Sequence, residues 1–199
     1  MKLQRLAGMG PRAAIVSGVT MIVLLLDWIF GSAAFGSGRL GFLAAVLFLL
    51  AGTAWLGAMA VAGLDIDWMA HPDTHNGRLL ASLWLAIAGS FLPPLLAVSV
   101  LVGAPAWVTQ LILCLIGLVA GGFTILHNLE AHRVGILSGL LPWVGILSGV
   151  FFLVLWLGVL LSLPPLTFFG LFVGGILYAA WAIWLGIKLG RKAPVAAVT

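Results

Sequence analysis

Six long apolar runs, separated by short polar segments, make up most of this chain of 199 residues. A helix of about 20 apolar residues crosses a hydrocarbon core of about 30 Å. In lipid the backbone must pair its own polar groups, and the strict alternation of a barrel strand is absent, so the runs are predicted to be helices. The pattern predicts an all-α bundle of six membrane-spanning helices, over residues 13–30, 40–63, 79–103, 106–125, 141–163 and 166–187.

The runs leave no length for a separate soluble domain. We expect a cytoplasmic segment over residues 1–12, one transmembrane domain over residues 13–190 and a cytoplasmic tail over residues 191–199. The first run follows basic residues, as the apolar core of a signal peptide does. However, the run is longer than the roughly 7 to 15 residues that are usual for the apolar core of a signal peptide. Asp27 also interrupts it. We interpret it as the first spanning helix.

Basic residues predict the orientation, because loops rich in Lys and Arg stay in the cytoplasm. With six crossings, both termini lie on one side of the membrane. Eight of the nine Lys and Arg residues fall on that side, and only Arg39 falls on the other. Both termini are therefore predicted to be cytoplasmic. The eight residues are Lys2, Arg5, Arg12, Arg78, Arg133, Lys188, Arg191 and Lys192.

Composition supports the membrane class. Hydrophobic residues make up 63% of the chain and charged residues 7%, whereas soluble domains carry roughly 25% charged residues. Disorder needs low hydrophobicity and is excluded. The formal charge of +4 is explained by the orientation rule, so no nucleic-acid partner is inferred. The lone Cys114 permits no intrachain disulfide and is interpreted as a small buried hydrophobic residue.

Glycine is abundant, with 26 residues, and many lie four positions apart. Small residues one turn apart let helix backbones approach closely in a membrane. Such faces serve either packing within the bundle or contact with a second copy or a partner membrane protein, and the spacing does not distinguish these uses. The pairs are Gly117 and Gly121, Gly135 and Gly139, Gly145 and Gly149, Gly170 and Gly174, and Gly186 and Gly190.

One acid and one pair of prolines are candidates for a transport site. Asp27 is the only acid inside a predicted span, and ionisable groups within a membrane often mark ion or proton pathways. Pro93 and Pro94 should kink or break the third helix, and broken helices form binding sites in some transporters. The alternatives for Asp27 are an interfacial residue or one that is hydrogen-bonded to a neighbouring helix, and the alternative for the prolines is a kink without further function.

The histidines give a second, weaker site. His71, His75, His127 and His132 all fall in two predicted cytoplasmic loops, 64–78 and 127–135. Imidazole and carboxylate groups on one side of the membrane suit zinc and similar ions. The spacing argues against it, because Pro72 separates the first two and the last two lie on different faces of a helix. A solvated polar loop is the competing interpretation.

The remaining polar features predict no chemistry. Glu130, the only glutamate, and Arg133 are three residues apart and could pair at the membrane surface. Haem ligation would need histidines within the spans, where none is predicted. The sequence has no G-x-S-x-G, P-loop, H-E-x-x-H or C-x-x-C motif. We therefore expect neither an enzyme nor a cofactor. The string VGILSG occurs twice, at residues 134–139 and 144–149, but within one region, so it indicates no duplication of the chain.

The last third of the chain has a recognisable pattern. The segments LHNLEAHRVGILSGLLPWVGILSGVFFLV and LYAAWAIWLGIKLGRK, within residues 126–192, resemble the endings of small bacterial multi-pass membrane proteins of unknown function. The resemblance implies a six-helix protein of the inner membrane and brings no catalytic residues. We expect a non-enzymatic structural or accessory component; the alternative is a small-solute or ion transporter. The matching residues of the final helix are Trp181, Trp184, Leu185, Gly186 and Leu189.

Overall fold

A computed structural model of the protein describes residues 11–26, 46, 85, 91–92, 95–96, 98–99, 102–133, 135 and 137–192. These residues contain four helices and no strand, so the predicted all-helical class is confirmed for the part of the chain that is described. The helices are α1 (Pro11–Leu26), α2 (Ala106–Arg133), α3 (Leu141–Leu160) and α4 (Pro164–Lys192).

Three of these helices are long and apolar enough to cross a membrane, namely α2, α3 and α4, whereas α1 is apolar but shorter. At 1.5 Å per residue, the 28 residues of α2 extend about 42 Å and the 20 residues of α3 about 30 Å. The predicted spans over residues 40–63 and 79–103 lie almost entirely outside the described residues. The length and apolar composition of α2, α3 and α4 support a membrane protein.

The four helices pack around a common apolar core. Helix α3 packs on both α2 and α4, and α1 packs on α4, where Gly18 lies against Ala179 and Ile183. Their buried side chains form one continuous cluster. Its largest members are Phe123, Leu137, Leu141, Phe152, Leu155, Tyr178, Trp181 and Leu185.

Glycine sets the distance between the helices. A Cβ atom on Gly117 of α2 would lie 2.7 Å from the carbonyl oxygen of Phe152 in α3, and one on Gly121 would lie 3.0 Å from that of Gly149. Real Cβ contacts this short would force the backbones apart. Gly170 of α4 is equally crowded by Leu155. The chain's own helices therefore cover these glycine faces, as the packing interpretation predicts.

The pair Gly135 and Gly139 is different, and its interpretation as a helix-packing pair was wrong. Both residues lie in the segment between α2 and α3, with φ of 76° each. Glycine adopts this left-handed backbone without the steric cost that a Cβ atom adds. No atom of the described residues lies within 4 Å of a Cβ built on either glycine. These glycines shape a turn and pack against none of the four described helices.

The end of α2 also corrects the sequence interpretation. A polar turn was predicted over residues 127–135, but α2 continues to Arg133. Three of the polar side chains in this last part of α2, those of His127, Asn128 and Glu130, are buried in the bundle. The helix ends where Gly135 N–H donates to the His132 carbonyl at 3.1 Å and Leu137 N–H to that of Ala131 at 3.0 Å. A left-handed glycine just after the last turn is a common way to end a helix.

Candidate functional site

A buried amide links α2 to α4. Asn128 and Trp181 are both fully buried, and the indole Nε1–H of Trp181 donates to Asn128 Oδ1 at 2.8 Å. The other end of the amide is used as well, because Asn128 Nδ2 donates to the carbonyl oxygen of Thr124 at 2.7 Å. Buried polar atoms need such partners, since an unpaired one keeps the full cost of leaving water. Asn128 is thus paired at both ends.

Helix α3 provides the space for this amide. A Cβ atom on Gly145 would collide with the side chain of Asn128, and one on Gly149 would collide with that of Thr124. Any larger residue at either position would displace the polar side chains of α2. The sequence pair Gly145 and Gly149 therefore makes room for side chains as well as for the backbone.

His127 lies inside the bundle, only 4% exposed, although the sequence placed it in a solvated loop. Its ring centroid is 5.4 Å from that of Phe123 and 6.1 Å from that of Trp181, the latter in an edge-on arrangement. Aromatic rings at such separations attract each other through their quadrupoles. The prediction of a loop histidine was wrong because aromatic neighbours cover this face of α2.

Two further hydrogen bonds tie helices together. The hydroxyl groups of Ser17 in α1 and Tyr178 in α4 lie 3.0 Å apart, and both residues are buried. Ser148 Oγ in α3 donates to the carbonyl of Gly174 in α4 at 2.8 Å. In a membrane such bonds help to hold helices together, because lipid supplies no hydrophobic drive for their association. Every described helix thus takes part in an interhelical polar contact.

Glu130 is also buried, at 4% exposure, one turn along α2 from His127. The sequence indicated an ion pair with Arg133 at an exposed surface. Arg133 is exposed, but the carboxylate belongs to the interior. A buried carboxylate keeps a favourable position only among polar or charged neighbours, since its desolvation is costly. We therefore group Glu130 with His127 and Asn128, the other buried polar residues near this end of α2.

We call these interior groups the buried polar cluster. The cluster lies toward the end of the bundle that carries the 134–140 segment, because α2 ends there and α3 begins there. The interhelical hydrogen bonds of this cluster can fix the positions of the four helices relative to one another. Its members are Ser17, Thr124, His127, Asn128, Glu130, Ser148, Tyr178 and Trp181.

The histidines of α2 do not converge. His132 is exposed, its Nδ1–H donates to the carbonyl of Leu137 at 3.3 Å, and its ring lies 5.8 Å from that of Trp143. His127 faces Trp181 instead, so the two rings lie on different faces of α2, as their spacing predicts. Among the described residues no three His, Cys, Asp or Glu side chains are grouped to hold a metal ion.

Several predicted site residues lie outside the described residues: Asp27, Pro93 and Pro94 of the transport site, and His71 and His75 of the metal site. The sequence interpretation missed the pairing of Asn128 with Trp181. A usable signal existed, because Thr124 and Asn128 are four residues apart, which puts both on one helix face. The sequence interpretation overlooked this spacing because the predicted helix ended at residue 125, three residues before Asn128.

Comparisons with protein-family models, with curated proteins and with solved structures find no match.

Proposed function

We propose that this protein is a non-enzymatic structural or accessory component of the bacterial inner membrane, with six spanning helices and both termini in the cytoplasm. The proposal includes the resemblance of residues 126–192 to small bacterial multi-pass membrane proteins. The observation that carries it is the buried amide of Asn128, which is hydrogen-bonded to Thr124 and Trp181 and enclosed by Gly145.

The physical reason is that a transport pathway needs polar groups that water or a solute can reach. In the buried polar cluster, by contrast, the amide and hydroxyl groups are hydrogen-bonded within the protein. Ser17 bonds to Tyr178, Ser148 to Gly174 and Asn128 to Trp181, each pair between two helices. Groups used in this way hold helices together. Close glycine contacts between α2 and α3 add to a tightly packed interior.

The proposed orientation is supported by the position of two cations. Arg133 ends α2, and Lys188, near the end of α4, reaches the segment that follows α2, where its ammonium group contacts Ser138. Both residues therefore lie at one end of the bundle, and the excess of basic residues assigns that end to the cytoplasm.

The alternative is a small-solute or ion transporter that uses Asp27 and a helix break at Pro93 and Pro94. The two functions differ in one measurable property. A transporter needs a water-filled route into the bundle, whereas an accessory component needs only a packed interior. The access of water to the buried polar cluster distinguishes them.

Cysteine accessibility measures this property. In a Cys114→Ala background, Ser17→Cys and Ser148→Cys place a thiol in the buried polar cluster, and Ser138→Cys is the exposed control. We expect a small water-soluble maleimide to label the Ser138 variant within minutes and the two buried variants only after denaturation. Labelling of either buried variant at the rate of the control, in a protein that elutes as the parent does, would contradict the accessory role and favour transport.

A further inference from the structure

The end of the bundle that carries the 134–140 segment presents fixed cations. Lys188 Nζ donates to the backbone carbonyl of Ser138 at 3.0 Å and lies 3.4 Å from its Oγ. An ammonium group has three donors, so one N–H remains for a ligand. His132 is held in the same way by the carbonyl of Leu137. These bonds hold both side chains against the segment, and the ammonium group of Lys188 keeps one N–H for a ligand.

The exposed charge here has one sign. Arg133 is exposed, whereas Glu130, the only acid among the described residues, is buried. A guanidinium group carries five N–H donors in a planar fork that matches the oxygens of a phosphate. Arg133 and Lys188 therefore supply positive charge and N–H donors for an anionic group, with no exposed carboxylate in the described part of the chain to compete for them.

An apolar surface adjoins the cations. Leu140 is 70% exposed and Trp143, in the first turn of α3, is 54% exposed. The Trp143 ring contacts that of His132 at 5.8 Å. Tryptophan is enriched where the headgroups of a bilayer meet its apolar core. In a bilayer Trp143 would lie at this boundary, with Leu140 and the cations of the preceding segment at the level of the headgroups.

The segment also leaves space above its backbone. In the part of the chain that the structure describes, nothing lies within 4 Å of a Cβ atom built on Gly135 or Gly139. A headgroup can therefore approach between the two turns that these glycines form.

We propose that this surface, which we call the loop-end surface and define as His132, Arg133, Ser138, Leu140, Trp143 and Lys188, binds the headgroup of an anionic phospholipid. Arg133 and Lys188 contact the phosphate, and Leu140 and Trp143 contact the adjoining glycerol and acyl chain. Basic sites between spanning helices at the cytoplasmic side are suited to such lipids. The proposal rests on the membrane insertion that is part of the proposed function.

The test is native mass spectrometry of the purified full chain in mild detergent, titrated with phosphatidylglycerol or with phosphatidylcholine. We expect bound phosphatidylglycerol at concentrations where phosphatidylcholine does not bind. Arg133→Gln and Lys188→Gln should each weaken binding by about fivefold, as expected for the loss of one cation near an anionic surface. Lys188→Arg should bind as the parent does.

The matched control is Lys2→Gln, which removes the same type of charge from the N-terminal segment and should leave binding unchanged. Equal binding of the two lipids would overturn the proposal, as would a loss in the Lys2 variant as large as that in the Lys188 variant. Displacement of the lipid by millimolar inorganic phosphate would also overturn it, because the site would then recognise a free anion. The two tests are independent. Absence of lipid binding would not change the thiol-labelling result that tests the accessory role, and labelling of the buried variants would not change the lipid-binding result.

Discussion

At the scale of single residues, the side chain of Asn128 connects the helices most directly. Its amide accepts a hydrogen bond from Trp181 in α4 and donates one within α2. The cost of breaking such a contact exceeds the net gain of making it, because a buried acceptor without its donor has lost water and gained nothing. Asn128 and Trp181 therefore depend on each other.

Replacing Trp181 by Phe should test this dependence. The ring remains, but the Nε1–H is removed and Asn128 Oδ1 loses its donor. We expect the free energy of unfolding to fall by about 1–3 kcal/mol, measured by denaturant titration in detergent. Trp143→Phe is the control, because Trp143 is 54% exposed, and it should change stability by no more than about 0.5 kcal/mol. Equal effects of the two substitutions would refute a structural role for the indole hydrogen bond.

At the scale of helices, the positions of the glycines determine how closely two helices approach each other. Gly117 of α2 faces the backbone of α3, whereas Gly122, on the same helix, faces only the side chain of Leu85. A Cβ atom on Gly122 would lie 3.5 Å from Leu85 Cδ1, an ordinary van der Waals contact. The two glycines share a helix and a residue type and differ in their neighbours.

This difference gives a paired prediction. Gly117→Ala should destabilise the protein by about 1–3 kcal/mol, because overpacking forces α2 away from α3. Gly122→Ala should be neutral or stabilise it by up to about 1 kcal/mol, since alanine favours the helix. Thermal unfolding of the two variants under identical detergent conditions compares them. A loss of stability in the Gly122 variant that matches the Gly117 variant would show that glycine matters there for a reason other than helix contact.

At the scale of the whole molecule, the described helices place the two ends of α3 about 30 Å apart, the thickness of a hydrocarbon core. The segment before α3 contains Ser138 and the turn after it contains Ser162; both serines are exposed. If α3 spans the membrane, the two residues face opposite compartments. The proposed orientation assigns Ser138 to the cytoplasm.

Labelling of intact cells checks the orientation. In the Cys114→Ala background, we expect a membrane-impermeant maleimide to label Ser162→Cys from outside and Ser138→Cys only after the cells are permeabilised. The same substitution at two loops serves as an internal control. Reversed labelling would invert the orientation, and labelling of both variants in intact cells would contradict a spanning α3.

The sequence by itself determined the class of this protein. Long apolar runs and scarce charges leave no way to cover a soluble surface, so the helical character and the apolar length of α2, α3 and α4 follow from composition and spacing alone. The starts of α2 and α3 were also predictable, because Ala106 follows a proline and Leu141 precedes one.

Only the tertiary structure decided which way the polar residues face. Polarity favours a loop for His127 and Asn128, but Trp181, distant in sequence, covers them and α2 continues. The repeated string VGILSG gives the clearest case. In its first copy the described residues form a turn, with Gly135 and Gly139 left-handed, whereas the second copy, at residues 144–149, is helical in α3. The same six letters adopt two structures in different surroundings: Asn128 and Thr124 pack against the glycines of the second copy, whereas among the described residues none lies within 4 Å of a Cβ atom built on those of the first.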